Sequence, residues 1–164
     1  MWWAGGEKIF LRIFKEILEI EKKCKVLCSA SAWFATNGEM PDESISMWDN
    51  KTPVYKILDN LGEAGQCNGT DISKNVVAIT KKKDPYYYQT DKKHTTIMVF
   101  TDGEECGREG FKILRQIPGK ILKDVVFVII NRRDMIGTVI NNLQKEGGIK
   151  MPNIIAICRE DFDK

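Results

Sequence analysis

The sequence predicts an α/β fold: a doubly wound, mostly parallel sheet with helices on both faces. Three observations lead there. Short apolar runs recur, each too short for a helix. Strand-like and amphipathic, helix-like segments alternate along the chain. The runs at 95–101, 125–130 and 153–158 are almost continuously apolar, the pattern of strands covered on both faces. At 164 residues the chain is expected to form one domain, spanning 1–164.

Residues 7–23 open the chain as a helix. Ile9, Phe10, Ile13, Phe14, Ile17, Leu18 and Ile20 fall at helical spacing, with Lys8, Arg12, Lys15, Glu19 and Lys22 opposite. Lys25 to Ala35 reads as a strand of small and apolar residues. Turn residues at Asn37-Gly38 and Met40-Pro41-Asp42 follow. Glu43 to Trp48 alternates polar with apolar, as a short, half-exposed edge strand does. Thr52-Pro53 opens a second helix, whose stripe is Val54, Ile57, Leu58 and Leu61. A glycine-rich loop runs from Gly62 to Asp71, and a further helix from Ile72 to Lys81.

Residues 81–94, KKKDPYYYQTDKKH, are polar, basic and aromatic without periodicity, and are expected to be an exposed insertion loop. Thr95 to Thr101 is a buried strand ending in the acidic loop Asp102-Gly103-Glu104-Glu105. Gly107 to Ile117 is expected to be a helix with Phe111, Ile113, Leu114 and Ile117 inward, ended by Pro118-Gly119. A buried strand at Val125 to Ile130 precedes a helix carrying Met135, Ile136, Val139, Ile140 and Leu143, closed by Gly147-Gly148. Asn153 to Cys158 is the last strand, and Arg159 to Lys164 reads as the first turn of another helix.

Composition narrows function. Lys+Arg is 25 and Asp+Glu is 23, a net charge of +2, so a nucleic-acid partner is not expected. The longest apolar run, Val125 to Ile130, cannot cross a bilayer. No basic stretch followed by an apolar one opens the chain, so no signal peptide is expected. The five cysteines are odd in number and scattered, as reduced thiols in the cytoplasm would be. His94 has no second histidine to share a zinc ion. Carboxylates near Cys106 should dull its reactivity. Trp2 and Trp3 are expected to pack beside the first helix or to sit exposed, with a partner-binding patch as the alternative.

In parallel sheets ligands bind beyond the carboxyl ends of the strands. Two loops there carry chemistry: Cys67-Asn68-Gly69-Thr70-Asp71, and Thr101-Asp102-Gly103-Glu104-Glu105. Hard oxygen donors of this kind suit Mg²⁺, Mn²⁺ or Ca²⁺. Taken singly, Thr70, Asp71 and Asp102 read more simply as caps of the helices that follow them; together, at the ends of alternating elements, they favour a site.

Phe100-Thr101-Asp102-Gly103-Glu104 resembles the fourth-strand motif of the von Willebrand factor type A (vWA) domain. Asn68-Gly69-Thr70-Asp71 resembles that family's glycine-glycine-threonine loop, with Asn in place of the first glycine. The resemblance extends over nearly the whole chain and implies a Rossmann-like, doubly wound fold. It implies a metal-ion-dependent adhesion site in which Thr70 offers a hydroxyl oxygen and Asp102 binds directly or through water. Asp71 and Glu104 would stand behind them.

The family's first motif is a central strand ending Asp-x-Ser-x-Ser, directly ahead of the first helix. No such strand precedes the helix at 7–23, and Met1 falls where the residue after the second serine would be. By resemblance, the domain is expected to be truncated at both ends, and its metal site to be incomplete. Mg²⁺ binding by the isolated chain is then expected to be weak or absent. Loss of a central strand would leave the sheet to close by pairing 25–35 with 95–101, or to accept a strand from another polypeptide. The implied function is a non-enzymatic protein–protein interaction module, whose partner supplies a carboxylate to the metal or a strand to the sheet. The alternatives are a Mg²⁺-dependent phosphoryl-transfer enzyme using Asp102, Glu104 and Glu105, and a gene fragment without function. The enzyme reading lacks a phosphate-binding loop and a nucleophile elbow.

Overall fold

The computed structural model describes residues 72–80, 96–105 and 107–162, the pairs Ser31–Ala32 and Ile45–Ser46, and Ile9, Arg12, Ile13, Lys15, Glu16 and Glu19, which are helical. Its elements are β1 (Ser31–Ala32), β2 (Ile45–Ser46), α1 (Ile72–Ile79), β3 (Ile97–Thr101), a 3-10 helix (Gly110–Gln116), α2 (Gly119–Leu122), β4 (Val125–Asn131), α3 (Arg133–Lys145) and β5 (Ile154–Cys158). Single 3-10 turns at Met151–Asn153 and Arg159–Asp161 flank β5. The helix opened by Thr52-Pro53, the loop 62–71, the excursion 81–94, and Trp2, Trp3 and Cys106 lie outside the described residues.

β3, β4 and β5 form a three-stranded parallel sheet in that order. In the register Val99 lies beside Phe127, and Phe127 beside Ile154. The chain is therefore mixed α/β, and the three apolar runs are its parallel strands. β4 lies in the middle with every residue but Val126 buried. That is what its uninterrupted sequence VVFVIIN requires, since a strand with one wet face would alternate.

Successive residues of a strand point to opposite faces, so β4 feeds two apolar clusters. Val125, Phe127 and Ile129 join Ile72 and Val76 of α1, Phe111 and Leu114 of the 3-10 helix, and Val139 and Leu143 of α3. Val128 and Ile130 join Ile9, with Ile13, Phe100, Val126 and Ile157 packed partly buried around them. Each fully buried side chain of this size stabilises by about 1.5–3 kcal/mol. Ile9 and Ile13 thus point the inward stripe of the first helix at the sheet, while Arg12, Lys15, Glu16 and Glu19 stay exposed.

The 107–117 segment departs from expectation. It is a 3-10 helix rather than an α-helix. With three residues per turn, Phe111, Leu114 and Ile117 stack on one side, and all three are buried. Ile113 is left only partly buried. Pro118 ends this segment as expected and also stands at the N-cap of α2, which buries Ile121. α3 closes as expected: Gly148 adopts φ +72°, and the Arg115 guanidinium donates to the carbonyl oxygens of Lys145 (2.9 Å) and Glu146 (2.7 Å).

β1 and β2 pair antiparallel, Ser31 with Ser46 and Ala32 with Ile45. The strands expected over 25–35 and 43–48 are described at these residues only. Among the described residues β1 and β3 belong to separate sheets, with no pairing between them. No helix among the described residues is long and apolar enough to cross a membrane.

Candidate functional site

The acidic loop leaves the carboxyl end of β3, where side chains turn the backbone. Thr101 is buried, and its Oγ1 accepts the Gly103 N–H at 3.1 Å. Asp102 Oδ1 accepts the Glu104 N–H at 3.1 Å, an Asx-type turn that fixes the carboxylate over its own loop. Gly103 adopts φ +82°, and a Cβ there would come within 2.2 Å of Val139 Cγ1. Only glycine fits both the backbone and the approach of α3. Each residue of Thr101-Asp102-Gly103 therefore has a structural task in the turn.

Asn131 joins this loop to the end of β4. It is buried, its Nδ2 donates to the Asp102 carbonyl oxygen at 2.7 Å, and its Oδ1 accepts the Arg132 N–H at 2.7 Å. Sequence reading missed it. The available signal was a lone polar residue closing an apolar strand at the sheet end where sites form.

Glu105 reaches further. Its Oε2 accepts both the backbone N–H (2.8 Å) and the hydroxyl (2.6 Å) of Ser73, and its Oε1 accepts the Gly107 N–H at 2.8 Å. Ser73 is fully buried in the first turn of α1. A carboxylate is favoured there, because the unpaired N–H groups and the helix dipole both attract negative charge.

Of the residues expected to form a metal site, Asp102 and Glu104 lie in this loop, Asp102 half-buried and Glu104 exposed. Thr70 and Asp71 lie outside the described residues. Among the described residues no group of three or more His, Cys, Asp or Glu side chains could hold a metal ion. The Glu105 carboxylate accepts three donors, two from Ser73 and one from Gly107, so it ties the loop to the first turn of α1.

The spelling Asp-x-Ser-x-Ser-Met does occur, at Asp42-Glu43-Ser44-Ile45-Ser46-Met47. There Ile45 and Ser46 are themselves the antiparallel strand β2. The motif as described for the family instead ends a central strand directly ahead of the first helix.

A second charged cluster sits at the carboxyl ends of β4 and β5. The Glu160 carboxylate accepts the Arg133 N–H, 3.3 Å from Oε1 and 3.2 Å from Oε2, at the first turn of α3. Arg133 Nη2 pairs with Asp161 Oδ1 at 2.8 Å. The Cys158 thiol donates to Glu160 Oε2 at 2.9 Å. That bond to a carboxylate raises the Cys158 pKa and lowers that of Glu160. The thiol is thereby held protonated and dulled as a nucleophile.

In comparisons with known proteins, no family model, no curated protein and no solved structure matches the chain.

Proposed function

We propose that the chain is a protein–protein interaction module of vWA type, with Thr70 and Asp102 as metal-facing residues and Asp71 and Glu104 behind them. The observation that carries this reading is the bond between Ser73 and Glu105. Ser73 follows Thr70 by three residues in sequence and Glu105 follows Asp102 by three, so the bond supports a site that draws on both stretches. The parallel order β3-β4-β5, with apolar cover on both faces of β4, supports the doubly wound arrangement that the reading requires.

The donors fit a hard cation in kind, a carboxylate at Asp102 and a hydroxyl at Thr70, with two further carboxylates close in sequence. They are few, which leaves coordination positions for a carboxylate from a partner. A bound Mg²⁺ would supply a positive charge that such a carboxylate completes. The chain's own residues shape the site: Asn131 fixes the Asp102 backbone, and Gly103 lets the loop pass α3. The proposed activity is therefore binding rather than catalysis. The alternative, Mg²⁺-dependent phosphoryl transfer by Asp102, Glu104 and Glu105, has no nucleophile, base or phosphate cradle in the sequence to support it.

Paramagnetic broadening by Mn²⁺ in ¹⁵N spectra tests the reading. The expected result is broadening centred on residues 69–71 and 101–104 at millimolar Mn²⁺, lost in Asp102→Ala and retained in Asp42→Ala. Broadening centred elsewhere, or unchanged by Asp102→Ala, overturns it.

A further inference from the structure

Glu105 belongs to the acidic loop, yet its carboxylate is spent on another element. Oε2 takes two donors from Ser73, at 2.8 and 2.6 Å, and Oε1 takes the N–H of Gly107 at 2.8 Å. Bonds to an ionised oxygen are stronger than neutral ones. The Ser73 end is fully buried, so water cannot readily replace the carboxylate there. Three donors converging on one planar group fix its position and its plane. The result is a brace with one end in the 101–107 loop and the other in the first turn of α1.

We infer that Glu105 is a positioning residue: it couples the Asp102 loop to the first turn of α1 at Ser73 and sets the spacing between them, without binding metal itself. This role deepens the proposed function and rests on it for its purpose, while the coupling is measurable without metal. α1 also packs against the 3-10 helix that follows the acidic loop, so the brace joins two elements already in contact. Losing the carboxylate would leave them packed but free to shift at Ser73 and in the 102–107 loop.

The test is a mutant cycle read by amide chemical shifts of the full chain in metal-free buffer. In the native background Asp102→Asn is expected to shift the amides of residues 72–74. In the Glu105→Ala background that response is expected to vanish, and in Glu105→Gln, which keeps an acceptor for Ser73, to return. Helix capping alone predicts a stability loss in Glu105→Ala with the response intact. If Glu105→Ala does not fold, Ser73→Ala removes only the hydroxyl bond, and the response should fall about twofold. An unchanged response in these variants, or none in the native background, overturns the inference. Repeating the native titration with Mn²⁺ separates the two ideas. Coupling without broadening at either loop refutes the metal reading and leaves the brace standing.

Discussion

Asn131 and Asp102 are joined by a 2.7 Å, partly buried hydrogen bond from the side-chain amide to the backbone carbonyl, at the carboxyl ends of neighbouring strands. The same Asn131 accepts the Arg132 N–H, so one side chain satisfies the loop after β3 and the start of the turn into α3. Replacement by alanine removes both of these partly buried bonds at once. Leaving a buried polar group unpaired costs about 1–3 kcal/mol. Asn131→Ala is expected to lose about 2 kcal/mol in urea denaturation with an unchanged slope. A loss below about 0.5 kcal/mol would show that water replaces both bonds.

Gly103→Ala should be costly for two separable reasons. The left-handed backbone costs a non-glycine residue about 1–2 kcal/mol, and the added methyl meets Val139 Cγ1 at 2.2 Å. Overpacking of that kind costs about 1–3 kcal/mol. The double variant Gly103→Ala/Val139→Ala should be less destabilised than the sum of its singles, because the smaller side chain makes room. Strict additivity in thermal or chemical denaturation would deny the contact.

The first helix is placed on the sheet by Ile9 and Ile13, and this too can be checked. Ile9→Ala is expected to cost about 2–5 kcal/mol, in the range of Ile130→Ala across the same cluster. Glu16→Ala, on the exposed side, should stay within about 0.5 kcal/mol of native. Equal small effects at Ile9 and Glu16 would remove the helix from that face.

Cys158 and Glu160 titrate against one another. The thiol pKa is raised, first by its bond to Glu160, so alkylation should need a higher pH than for an ordinary thiol near 9.0. Glu160→Gln should move the iodoacetamide rate profile back toward lower pH. An identical profile in both proteins would refute the bond. The Glu160 pKa is lowered, first by the same bond, so the stability it confers is present above the ordinary carboxylate value near 4.5 and lost as pH falls through the lowered one. The protein should therefore lose stability in acid, and Glu160→Gln should lessen that loss.

Much of the fold could be read because the parallel strands are short apolar strings, although only β4 is buried along nearly its whole length. Ile97–Thr101, Val125–Asn131 and Ile154–Cys158 lie within two residues of their expected limits. α3 was legible through Val139 and Leu143 and the glycines behind it. The 3-10 helix was not, because i and i+3 contacts over two turns look alike at three or 3.6 residues per turn. α2 is four residues long and too short to show a stripe. At the candidate site, Asp102 was legible because a carboxylate closing a buried strand is conspicuous. Asn131 and Ser73 were not, since their bonds to the loop span 29 and 32 residues and leave no local pattern. Glu105 was conspicuous for the wrong reason: its charge suggested a ligand, whereas it holds a helix.

The first turns of α1 and α3 are each met by a carboxylate from far along the chain, Glu105 at 32 residues and Glu160 at 27. Arg132, the residue at the start of α3, makes no side-chain capping bond of its own. Helix initiation is the costly step in forming any helix. Here each first turn is met by a carboxylate brought from 32 or 27 residues away, beyond the reach of local structure. Peptides covering 72–80 or 133–146 alone should be coil in water. In refolding, helical signal and sheet protection should appear together, since in this chain secondary structure is a product of assembly rather than its starting material.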